Sequence, residues 1–124
     1  MEFFEKLPEQ CPPEDALSPN GESYYRLIKK SFPDNSDFVS FRSIYPDRKY
    51  QEDECIVSSV SLFSEMKGIL KLLKMRVHKK KKVAEVTLFE KDGLVKKTRS
   101  EFHYSWWRSS EFELNSENIK PVEL

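Results

Sequence analysis

Only one stretch of this chain carries a clear helical repeat, and that limits the folds open to it. Met66, Ile69, Leu70 and Leu73 fall at i, i+3, i+4 and i+7, so they share one stripe. Lys67, Lys71 and Lys74 take the opposite face. Ser61 or Ser64 supplies a cap, and Glu65 complements the dipole in the first turn, so the pattern predicts a helix over 62–75. The remaining apolar residues arrive in short runs rich in aromatic and β-branched side chains, which read as strands. These are Tyr24–Lys29, Cys55–Val60, Val83–Phe89, Leu94–Thr98 and Phe102–Trp107, with Phe112–Leu114 as a short last one. Asp92-Gly93 is a turn signal that predicts a hairpin between 83–89 and 94–98. Asp34 or Ser36 caps a short helix over Asp37–Arg42. The expected fold is therefore α+β: a mostly antiparallel, twisted sheet of about five strands with one main helix packed on it.

A chain of 124 residues is one domain with a modest core, and nine Phe, five Tyr and two Trp supply much of the buried area. Four prolines between Pro8 and Pro19 make residues 1–22 an acidic arm without a long helix. Residues 23–114 form the α+β domain, and 115–124 a polar tail. The three glycines, Gly21, Gly68 and Gly93, are too scattered for a phosphate loop or a dinucleotide fingerprint. The acidic N-terminus does not read as a signal peptide. No apolar run approaches membrane-spanning length, so no membrane partner is expected. Cys11 and Cys55 read as reduced thiols in a cytoplasm. Together with His78 and His103 they show no metal-ligand spacing, so no metal is expected.

The formal net charge is zero, but the charges are segregated. Residues 1–22 hold six acids and one base; 65–108 hold thirteen bases and five acids; 109–124 hold four acids and one base. From Met66 to Lys82 there are eight bases and no acid. Such a stretch speaks to partners. Lys71, Lys74 and Lys79, Lys80, Lys81, Lys82 are the candidate partner-binding bases. Trp107 beside Arg108 reads as an exposed anchor of the interface type. A phosphate-bearing partner is the other use of these lysines, with Tyr104, Trp106 and Trp107 stacking on bases. The acidic ends offer an internal covering for the same surface.

Two resemblances add to this. Arg26 on a first strand, Ser59-Val60-Ser61 on a middle strand and a later Glu101 form an order similar to the motif order of ADP-ribosyltransferase folds. The resemblance implies NAD as cofactor, with Arg26 on its phosphate or ribose, Ser61 at the nicotinamide ribose and Glu101 beside the reacting carbon. Where many such transferases carry Glu-x-Glu or Gln-x-Glu, this chain has Glu101-Phe102-His103. His103 then becomes a candidate base, with Glu101 on its face of the strand. Cys11-Pro12-Pro13, Tyr25-Arg26-Leu27, Asp37-Phe38, Ser61-Leu62-Phe63 and His103-Tyr104-Ser105-Trp106-Trp107 together resemble a group of small, functionally uncharacterised bacterial proteins. That likeness implies one compact bacterial cytoplasmic domain and carries no activity. The leading expectation is a non-enzymatic protein that binds a protein partner through a basic patch and exposed aromatics. The NAD-binding transferase and a nucleic-acid-binding module are the alternatives.

Overall fold

A computed structural model describes all 124 residues. Six strands form one antiparallel sheet: β1 (Glu22–Ile28), β2 (Val60–Phe63), β3 (Lys82–Leu88), β4 (Gly93–Lys97), β5 (His103–Arg108) and β6 (Ile119–Val122). Their order is β4-β5-β2-β1-β3-β6. Three helices accompany them: α1 (Phe41–Ile44), α2 (Glu54–Val57) and α3 (Met66–Leu73). Only α3 exceeds one turn, as the single helical repeat predicts.

The hairpin expected at Asp92-Gly93 does not form. β4 pairs with β5, and β1, β2 and β5 lie between it and β3. Neighbouring strands are about 4.8 Å apart, so in a flat sheet β3 and β4 would be roughly 19 Å apart across the strands alone. Only residues 89–92 join them, and three of those form a compact 3₁₀ turn. The sheet must therefore curl until its two sides approach. Asp92 turns the chain: its carboxylate accepts from the Phe89 amide (2.8 Å), and its carbonyl accepts from the Trp106 indole (2.9 Å). Gly93 begins β4 at φ 132°, where a Cβ would stand 2.2 Å from the Trp107 carbonyl oxygen. Glycine is required there by both conformation and space.

The inner face of the curl holds the main core, including Tyr24, Val60, Leu62, Val86, Leu88, Val95 and Trp106. Leu88 of β3 and Val95 of β4 share this cluster, as curling requires. Phe38 and Phe112 fill it from outside the strands, Phe112 edge-on to Trp106 at 4.8 Å. On the outer face, α3 lies over Phe63 and Phe102. A Cβ on Gly68 would meet the Phe63 ring at 2.7 Å and Phe102 at 3.2 Å.

Several local expectations are corrected. Cys55–Val60 is not one strand: Asp53 accepts from the Cys55 amide (2.8 Å), capping α2, and β2 starts only at Val60. Ser61 lies inside β2, and Ser64 does not cap α3; Glu65 holds that position without a side-chain bond. The helix therefore covers 66–73, not 62–75. Residues 37–42 are not one helix. Asp34 caps a 3₁₀ turn at Asn35–Asp37, and Ser40 caps α1. Phe112–Leu114 is not a strand; the last strand is β6, drawn from the polar tail. The acidic arm lies on the sheet, where Leu17 exchanges amide bonds with Val95 (2.8 and 2.9 Å) and so covers the β4 edge. Cys11 and Cys55 are not free thiols. They form a disulfide that ties the arm to α2.

Candidate functional site

Of the residues that suggested NAD chemistry, Arg26 reaches the Ser61 backbone and the Ser61 side chain meets His103, while Glu101 stays apart. Arg26 stands opposite Ala84 in the β1–β3 pairing, and its guanidinium bonds only to backbone carbonyls. Its Nε donates to the Asp37 carbonyl (2.6 Å), Nη1 to the Ser61 carbonyl (2.7 Å) and Nη2 to the Val39 carbonyl (3.1 Å). Burial pushes its pKa down to about 10, against the pull of Asp37 and Glu5. Three of its five N–H donors, one on each nitrogen, are engaged by backbone carbonyls, so the guanidinium is held by the fold rather than presented as an open fork.

Ser61 and His103 meet on the outer face, because β2 and β5 run in register with Ser61 opposite Ser105 and Phe63 opposite His103. Ser61 Oγ lies 2.9 Å from His103 Nε2, and His103 Nδ1 lies 3.0 Å from Thr98 Oγ1. Thr98 Oγ1 continues to Ser105 Oγ at 2.8 Å. Hydroxyls at both ends satisfy either tautomer of a neutral ring. Arg99 approaches Ser61 Oγ at 3.4 Å and is held by Glu52 (2.5 Å). Glu101 lies exposed in the β4–β5 turn and takes no part in these bonds. Sequence reading missed Thr98, Arg99 and Glu52. Thr98 had a signal, since it faces His103 across that tight turn; Glu52, 47 residues from Arg99, had none.

Burial, then Arg99, lowers the His103 pKa to about 4. A general base must accept a proton and carry charge. This imidazole resists charging, and a threonine rather than a carboxylate stands behind it. The cluster is a satisfied polar network. Its pH consequence follows from linkage. The folded pKa lies below the unfolded value near 6.5, so the unfolded chain binds the proton more tightly. Stability is therefore full above about pH 6.5 and declines as pH falls toward 4, by about 3 kcal/mol. Urea unfolding of wild type and His103→Gln at pH 7 and pH 4 checks this. The variant should lose most of the acid dependence, and an unchanged dependence would place its origin elsewhere.

The expected exposed anchor is also corrected. Trp107 is 1% exposed, and its indole donates to the Cys55 carbonyl (2.9 Å) under α2. Arg108 is buried too. Its guanidinium lies 3.9 Å from the Phe4 ring centre and donates to the Phe38 carbonyl (3.2 Å). Neither side chain presents itself to a partner.

The lysines are placed differently. β1 ends at Ile28 opposite Lys82, where β3 begins, so the loop after β1 and the run after α3 share one end of the sheet. Lys82 Nζ donates to Ser31 Oγ (2.6 Å), joining the two. Burial, and then the charges of Lys29 and Arg26, lowers the Lys81 pKa. Beside Lys81 and Lys82 lies a groove of about 290 Å³, which Glu123 and Leu124 also line. No group of three or more His, Cys, Asp or Glu side chains is arranged to hold a metal ion. No helix is long and apolar enough to cross a membrane. Comparison of the chain with family models, curated proteins and solved structures finds no match.

Proposed function

We propose that this chain is a small binding protein that docks onto an anionic partner through the lysine-rich end of its sheet. One observation carries the reading. Lys30, Arg42, Lys67, Lys96 and Arg99 each have a carboxylate within ion-pair distance, whereas Lys71, Lys74 and Lys79 to Lys82 have none. The acidic arm reaches the basic half of the chain at Lys96, through Asp15 at 2.9 Å, and leaves this end uncovered. Glu123 is the one acidic side chain lining the groove beside Lys81 and Lys82, and the lysines outnumber it. Like charges gathered in such excess raise the local potential, and an anionic surface relieves it. The Cys11–Cys55 disulfide supports an oxidising compartment in place of the cytoplasm expected from sequence.

Fluorescence anisotropy with a labelled heparin fragment tests the reading. Binding should weaken on the order of a hundredfold between about 50 and 200 mM salt, as expected for about four released counterions. Lys79→Ser with Lys80→Ser should cut that dependence by roughly half. Absence of binding at low salt, or an unaltered salt dependence in the double variant, would overturn it.

A further inference from the structure

We infer that the anionic partner is a lipid surface, an inference that rests on the docking role proposed for the basic end. The three most exposed large apolar side chains in the protein are Phe32 (89%), Leu124 (73%) and Val77 (71%). All three lie at this end. Phe32 follows Ser31, which is bonded to Lys82; Val77 sits in the turn between α3 and the lysine run; Leu124 lines the groove beside Lys81. Met75 and Leu70, both about half exposed, extend the same apolar set toward α3. Apolar tips among lysines match a bilayer interface, where ammonium groups meet anionic headgroups and apolar side chains enter the acyl boundary. Adsorption of this kind needs no spanning helix, so the absence of a long apolar run does not bear on it.

The same residues fit other anions poorly. A single-stranded nucleic acid needs exposed aromatic planes. Trp106 and Trp107 are buried, Tyr104 packs against Tyr24 at 5.4 Å, and Phe32 is the one aromatic among the exposed apolar side chains named at this end. A stable protein interface concentrates Trp, Tyr and Arg at its centre and is depleted in Lys. This end carries one arginine, Arg76, among its lysines.

Co-sedimentation of the intact, oxidised protein with vesicles decides the matter. Equimolar phosphatidylserine–phosphatidylcholine vesicles should take up the protein at low salt, and phosphatidylcholine alone should not. Phe32→Ser with Val77→Ser removes apolar tips that lie in water in the free protein, so the fold and heparin binding should persist. Uptake by the anionic vesicles should fall about tenfold or more. Binding to heparin or to single-stranded RNA without uptake by vesicles overturns the lipid assignment and leaves the docking role standing. Uptake that ignores Phe32 and Val77 overturns it as well. Failure to bind either heparin or vesicles removes both.

Discussion

Arg26→Ala is expected to lower the unfolding free energy by about 3–5 kcal/mol, measured by urea denaturation at neutral pH. The size follows from what the guanidinium holds. Its nitrogens donate to the carbonyls of Asp37, Val39 and Ser61, and alanine would leave all three without that donor. Arg108 grips the carbonyl between the first two, that of Phe38, from the other side. The two arginines thus clamp residues 35–39 and seat Phe38, which is fully buried, in the end of the curled sheet. Glu5 of the arm accepts from the Ser40 amide (2.9 Å) and hydroxyl (2.5 Å), and its charge favours both guanidinium ions. Arg26→Lys should recover little, since one ammonium cannot bridge three divergent carbonyls. A variant as stable as wild type would show that these carbonyls find water instead. It would also free Arg26 for the ligand role that the transferase resemblance implies, and NAD binding by wild type but not by Arg26→Ala would then favour that reading.

What was legible in the sequence was periodicity. The stripe Met66, Ile69, Leu70, Leu73 located α3, because a helical face repeats every three to four residues whatever lies around it. Aromatic and β-branched composition marked the runs that become β1, β3 and β5. It did not show that both faces of β5 are covered. Trp107 therefore read as exposed, when α2 and the Cys55 carbonyl close over it. Pairing was less legible still. Asp92-Gly93 carries a hairpin composition, yet buried Asp92 turns its carbonyl to Trp106, a long-range contact that no local pattern announces. The basic end was visible as composition. Its apolar tips were not, because Phe32 and Val77 would ordinarily be assigned to a core, and only the packing leaves them in water.

Reduction of the Cys11–Cys55 disulfide is expected to cost about 2–4 kcal/mol of stability, read as a lower urea midpoint with dithiothreitol or in Cys55→Ser. The bridge closes a chain separation of 44 residues, which sets the upper part of that range through the entropy returned to the unfolded chain. The native state also loses an anchor. Cys55 sits in the first turn of α2, capped by Asp53, and its carbonyl receives the buried Trp107 indole. Cys11 belongs to the arm, whose other attachments include the Leu17–Val95 and Phe3–Ser109 bridges, the Glu5 bonds to Ser40 and the Asp15–Lys96 ion pair. Opening the disulfide should therefore loosen the arm locally before the sheet unfolds. Amide exchange should rise first at Ala16 and Leu17, while Val60 and Trp106 in the core keep their protection. Equal midpoints with and without reductant would mean that the thiols are unpaired in solution. Loss of protection in core and arm together would mean that the arm is an integral part of the cooperative unit.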